Sequence, residues 1–339
     1  MKKVFTLMLF CLACGWAVAQ NLEVKQSDYS TLQLQFHSSM PQVEEITLCG
    51  EQFTQLSMPG HFTTLTLGAP ALPMLSQMVE VPLCEGFTYE LTDVVCDTLD
   101  LHLSHPLAPA QPSRSKSDRS PVRLSIDRQL YQQDAYTGEK LFDIEQVGVA
   151  RSKNLATVRF CPVQYNPVSG KIILVKHATV TVRYQQPDVA ATLALAKHAT
   201  LAFAPQTLNS LPCTKDLGTA QTAPIHYLIV ANPMFRGQLD SFIAWKQRKG
   251  FLVTVAYTDQ PEVGTTSTAI AAYIKSFYTN ATSELPAPAY LLLVGDCDQL
   301  PPHQGRWDYG SQSAGQQVTD LYYTTWTDGD IIPDCYCGR

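Results

Sequence analysis

The hydrophobic pattern changes period near residue 225, and that change sets what the chain can fold into. Before it, apolar and polar residues alternate: Leu32, Leu34 and Phe36 are separated by Gln33 and Gln35, and Leu65 and Leu67 alternate with threonines. A period of two buries one face of an extended strand. After it, Tyr227-Leu228-Ile229-Val230 is an uninterrupted apolar run, as a strand covered on both faces requires. Asn232-Pro233 then offers a helix N-cap and a first-turn proline. Phe235, Leu239, Phe242 and Trp245 recur at helical spacing, and Lys246, Arg248 and Lys249 lead to Gly250, the predicted helix end. Phe251 to Ala256 reads as the next strand. Thr266 or Ser267 opens a second helix carrying Ile270, Tyr273, Ile274 and Phe277, and Tyr290 to Val294 reads as a third strand. This β-α-β-α-β order predicts a parallel sheet, with functional groups at the carboxyl ends of its strands. The expected fold is a β-rich antiparallel domain followed by an α/β domain with a parallel sheet.

The 339 residues divide accordingly. Lys2 and Lys3, an apolar run from Val4 to Trp16 and the small-x-small triplet Ala17-Val18-Ala19 form a secretory signal peptide over 1–19. A lipoprotein reading on Cys14 lacks the aliphatic residue usual three positions earlier. No later apolar run is long enough to span a membrane, so the expected location is exported: periplasmic, cell-surface or secreted. Residues 20–186 form the β-rich domain. Within it, 107–121 is rich in Pro and Ser and reads as a linker or exposed loop, and Val122, Leu124 and Ile126 alternate as a strand would. Residues 187–223 read as a connector, with an Ala-rich stretch at 191–204 suited to a short amphipathic helix and Lys215 as a candidate processing site. Residues 224–339 form the α/β part.

A net charge of −6 with only 16% charged residues excludes a basic nucleic-acid binder and an acidic disordered chain. Eight cysteines remain beyond the signal segment, and an even number in an exported chain permits disulfides. Cys84 and Cys96, flanking one strand-like stretch, are the first guess for a pair.

Several side chains invite a chemical reading. Asp296 follows the third strand and Gly295, where it serves either as a turn cap or as a metal or catalytic carboxylate. Asp320, Asp328, Asp330 and Asp334 form the strongest acidic cluster, and Asp328 and Asp330 would share a face if extended. Oxygen-only ligation suits Ca²⁺, although the spacing is not that of an EF-hand; a solvated acidic loop and a calcium site both stay open. Cys297 with His303 suggests a Cys–His nucleophile, but six residues in a Pro-rich loop do not imply contact. Cys335-x-Cys337 lacks the second pair of a zinc set. These cysteines read as structural. His226 reads as a core or edge histidine, and Asn280-Ala281-Thr282 fits a glycosylation sequon.

Three stretches of 225–339 resemble the start of the gingipain-type cysteine peptidase domain: Tyr227-Leu228-Ile229-Val230, Trp245-Lys246-Gln247-Arg248-Lys249-Gly250 and Leu291-Leu292-Leu293-Val294-Gly295-Asp296. The likeness continues through 318–339, and 68–82 and 161–172 resemble the family's β-rich propeptide. The resemblance implies an incomplete α/β domain with a parallel, caspase-like sheet, and a secreted cysteine endopeptidase zymogen that acts on protein or peptide substrates. It also implies a contact between propeptide and peptidase domain within the chain. No segment matches the family's His or Cys motif, so the dyad is expected beyond Arg339, with no catalytic residue assigned here. The resemblance further implies structural calcium, with Asp296 a ligand of one site and the Thr327 carbonyl, Asp330, the Ile332 carbonyl and Asp334 holding a second. The competing reading is a non-catalytic inhibitory or binding module built from the propeptide and a remnant peptidase domain.

Overall fold

The computed structural model describes residues 21–114, 116, 118–200, 202–215, 224–305 and 318–339. The predicted signal segment and the end of the predicted connector lie outside them. The first half is all β: β1 (Leu22–Ser27), β2 (Thr31–His37), β3 (Gln42–Leu48), β4 (Glu51–Ser57), β5 (Phe62–Thr63), β6 (Pro73–Val81), β7 (Gly86–Asp100), β8 (Phe142–Ala150), β9 (Lys153–Phe160), β10 (Val163–Tyr165) and β11 (Lys171–Gln185). β11 is the spine of one antiparallel sheet. It carries β7 along one edge, and β2 and β10 along the other, with β1 beyond β2. A second antiparallel sheet runs β5–β6–β9–β8, and β3 and β4 form a separate hairpin.

The alternation read from the sequence is what joins the two large sheets. Leu32, Leu34 and Phe36 of β2 are fully buried against Val79, Val158 and Phe160 of the facing sheet. The Phe36 and Phe160 rings stack at 4.8 Å. This is a sandwich held by interdigitating inner faces.

The second half is α/β: α1 (Val189–Ala196) and α2 (Pro212–Lys215) lead into β12 (Ile225–Ala231), α3 (Asp240–Arg248), β13 (Phe251–Tyr257), α4 (Ser267–Thr279), β14 (Tyr290–Val294), β15 (His303–Gln304), β16 (Val318–Thr319) and β17 (Tyr336–Gly338). The sheet order is β13–β12–β14–β17, all parallel. Central β12 is buried on both faces from His226 to Ala231. Among the described residues no helix is long and apolar enough to cross a membrane.

Residues 207–214 lie on the sandwich. Leu208 N–H donates to the Met78 carbonyl at 2.8 Å. The Asn209 amide pairs with both backbone groups of Glu80, at 2.8 and 2.7 Å. Thr214 Oγ1 donates to the buried Glu80 carboxylate at 2.7 Å, which Lys153 approaches to 3.3 Å.

Four expectations need correction. The helix predicted from Asn232 is two pieces: Asn232 caps a 3-10 turn at Pro233–Phe235, Gly237 sits at φ +84°, and α3 starts only at Asp240. Residues 122–126 form no strand. Instead the Gln111 side chain brackets Ser125, at 2.8 and 3.0 Å, and Asp127 N–H donates to the Gly68 carbonyl. The start of the predicted exposed linker is interior, with Leu107, Ala108 and Ala110 buried. All eight described cysteines are free. Cys84 lies two residues before β7 and Cys96 well along it, roughly 30–40 Å apart at about 3.3 Å per residue, whereas a disulfide needs Cα atoms within about 7 Å.

Candidate functional site: the carboxyl end of the parallel sheet and the 324–334 turn

Asp296 stands where the sheet topology places functional groups, just past the carboxyl end of β14. Gly295 makes the turn at φ +137°, and a Cβ there would meet Gln299 Cβ at 3.0 Å. Asp296 is exposed and works as a turn cap: its Oδ1 accepts from Cys297 N–H at 2.7 Å, and its own N–H donates to Gln299 Oε1 at 2.6 Å. The loop is tied to the end of β17 by a residue the sequence reading missed. Arg339 makes a forked pair with Asp320, at 2.8 and 2.6 Å, and donates to the Gly295 and Leu300 carbonyls, each at 2.9 Å. Planar guanidinium geometry allows this bidentate grip. The only sequence signal was an arginine following a short apolar stretch.

Cys297 is exposed, and among the described residues no hydrogen bond joins it to His303. The His303 ring packs edge-on against Tyr323 at 4.7 Å. Burial holds it below its ordinary 6.5 against the pull of Asp320. Cys335 is buried, which raises its thiol well above 9 and removes the thiolate that nucleophiles and metal ligands need. His226 is the core histidine expected. Its Nδ1 bonds the Pro286 carbonyl at 2.8 Å and its Nε2 the Thr254 hydroxyl at 2.9 Å.

The acidic cluster disperses to three places. Asp320 belongs to Arg339. Asp328 is 98% exposed and pairs with Lys275 at 2.7 Å, so it does not share a face with Asp330. Asp330 turns toward the sandwich: its Oδ2 accepts from Val149 N–H at 2.8 Å and its Oδ1 from Ile332 N–H at 3.1 Å. Gly148 permits this approach, because a Cβ there would stand 3.0 Å from Asp330. Asp334 is fully buried, accepting from Arg151 N–H at 2.5 Å and Trp326 N–H at 2.7 Å. Burial pushes its pKa up to about 6, with the nearby Asp330 charge adding to the rise and the N–H donors opposing it. Thr327 and Ile332 lie half-buried in the same turn.

The structure brings together Asp330, Asp334, Thr327 and Ile332, and leaves Asp296 elsewhere. The described residues hold no group of three or more His, Cys, Asp or Glu within reach of one ion. A cation in the turn would therefore rest on two carboxylates, completed by main-chain carbonyls and water. That donor set is all oxygen and fits a hard cation.

Two family models match the chain in succession. Residues 16–208 match the family model Propeptide_C25, and residues 220–339 match Peptidase family C25. Lys-gingipain of Porphyromonas gingivalis is 30% identical over 333 residues, covering 94% of this chain and 18% of that protein. Gingipain R2 of the same organism is 22% identical over 260 residues, covering 76% of this chain and 34% of that protein. A solved structure described as giving insight into the zymogenic latency of gingipain K from P. gingivalis superimposes with a TM-score of 0.46 at 23% identity, over 49% of this chain and 92% of that one. The chain spans about a fifth of the length of the Lys-gingipains it matches.

Proposed function

Because this chain belongs to the gingipain-type C25 peptidase precursors, whose propeptide model matches more than half of it, we propose that it forms the front of an exported cysteine endopeptidase zymogen. The observation that carries the reading is the union, in one chain, of a propeptide sandwich with a parallel sheet whose 324–334 turn it grips through main-chain hydrogen bonds. In the proposed reaction a cysteine thiolate attacks the scissile carbonyl of a protein or peptide substrate. Histidine protonates the departing amine, and water then hydrolyses the thioester. None of the described residues supplies that pair, so the reading requires a reactive Cys and His from elsewhere in the precursor. The module alternative is not favoured, since propeptide and peptidase family models both match within the one chain. The product of the complete gene, processed between sandwich and sheet, should cleave a protein substrate and lose that activity on thiol alkylation. Turnover that survives alkylation, or none after processing, refutes the reading.

The proposal includes structural calcium. The Thr327 and Ile332 carbonyls with Asp330 and Asp334 would hold one ion, and Asp296 would contribute to another beside the β14 loop. Bound calcium would offset the charge of two neighbouring acids and stiffen the turn. Millimolar calcium should raise the melting temperature of the chain and chelator should reverse it, with the effect lost in Asp330→Asn. An identical melt with and without calcium counts against the site.

A further inference from the structure

Arg151 is the first residue past β8, at the tip of the β8–β9 hairpin, with a left-handed backbone at φ +55°. Its side chain is among the largest fully buried in the molecule, at 1% exposure. The guanidinium leaves the sandwich and enters the peptidase segment. There Nη2 donates to the Ala287 carbonyl at 2.7 Å, and Nη1 donates to the Pro288 carbonyl at 2.6 Å and to the Asp334 carbonyl at 3.3 Å. Nε donates to the His198 carbonyl, on its own side of the boundary, at 2.6 Å. The Arg151 backbone is read as well: its N–H reaches Asp334 Oδ1, and its carbonyl accepts from Tyr278 Oη at 2.9 Å. The His198 and Tyr278 rings stack over the contact at 4.1 Å.

Three features make this a receptor for arginine in particular. The acceptors are carbonyls fixed by the chain just ahead of β14 and β17, so they need no rearrangement. They spread around a planar fork of donors, which a lysine ammonium cannot reproduce. No water-facing route remains for the charge, so an empty seat would leave converging carbonyls without donors.

The place of the seat matters as much as its chemistry. Ala287, Pro288 and Asp334 lie at the amino ends of β14 and β17, whereas Asp296 and Arg339 lie at the carboxyl ends, where substrate chemistry is expected. We propose that the peptidase segment carries an arginine-specific docking seat at the amino end of its sheet, and that the propeptide uses it to stay bound after the connector is cut. Arg151 and His198 stay on the propeptide side of such a cut, while the seat stays on the other.

The test starts from the whole chain carrying a specific protease sequence between Lys215 and Pro224. After cleavage, the two halves are diluted and their association measured by size exclusion and fluorescence anisotropy. The parent halves should remain together at micromolar concentration. Arg151→Ala should weaken association by on the order of 100-fold, since truncating a buried charged donor leaves its partners unpaired. Arg151→Lys should recover little of the loss. The uncut variants are melted first to confirm folding. If Arg151→Ala does not fold, Tyr278→Phe, which deletes one rim hydrogen bond, should weaken association by about 2- to 10-fold. Unchanged association in Arg151→Ala, full rescue by lysine, or an unchanged Tyr278→Phe where that is the arm used, overturns the proposal. The readout is binding, so it stands or falls separately from peptidase activity.

Discussion

The two halves of the molecule close their cores differently. The sandwich is sealed from both sides: Leu34 and Phe36 on one sheet meet Val158 and Phe160 on the other, all fully buried. The parallel sheet is sealed fully on one face and covered only in part, by α3, on the other. On the sealed face Leu228, Val230, Leu291 and Leu293 lie under α4 and the 321–326 segment, with Trp326 and Ile274 buried among them. On the other face, Tyr227, Ile229 and Ala231 are buried, but Tyr290, Leu292 and Val294 are only partly so, and Tyr336 is 52% exposed. Phe203, from the propeptide side, supplies an edge contact to Tyr336 at 4.9 Å. The sandwich closes its core with its own two sheets, while the sheet half borrows cover and hydrogen-bond donors from the propeptide side.

The largest expected effect lies in the sandwich. Phe160→Ala removes a ring packed on both Phe36 and Phe142 and should cost about 3–5 kcal/mol, read as a lowered urea midpoint. A loss under about 1 kcal/mol would show that the inner faces do not carry the fold. Next come paired truncations across the parallel sheet. Leu228→Ala, on the sealed face, should cost about 2–5 kcal/mol, and Leu292→Ala, on the open face, less than half as much. Equal losses would break the one-sided picture. Asn209→Ala strips both backbone groups of Glu80 of their partners and should cost about 1–3 kcal/mol, with faster proteolysis around 207–215.

The smallest effect is the pH response. His226 is buried in the sheet half, and burial, with a smaller push from the Arg151 charge, holds it below 6.5 against the bond to the Pro286 carbonyl. The unfolded chain therefore takes up a proton first. The contribution of His226 to stability is intact above pH 6.5 and falls as pH drops from there toward its depressed folded value. The melting temperature should decline over that window, and less steeply in His226→Gln. An unchanged slope in the variant would assign the acid response to other groups, such as His61 in the sandwich, which burial shifts the same way.

What the sequence revealed was what local pattern controls. The period change at 225, the Thr266 cap of α4, whose hydroxyl accepts from Ala269 N–H, and the left-handed Gly250 after α3 all follow from neighbours in the chain. What stayed hidden depended on distant partners. Val122, Leu124 and Ile126 alternate like a strand, but Gln111 and Gly68 claim the adjacent backbone groups. Asp330 and Asp334 look like one acidic run with Asp328, yet only the first two face amides donated from some 180 residues earlier. Arg151 gave no signal at all: one more arginine before a serine.

The left-handed turn at Arg151 has a consequence beyond docking. That conformation suits glycine and costs other residues about 1–2 kcal/mol, and the two-residue loop between paired Ala150 and Lys153 demands it. The hairpin ladder on either side therefore holds the bend whether or not the head group is gripped. A propeptide that left would thus keep its arginine aimed outward, ready to re-enter without remaking the turn.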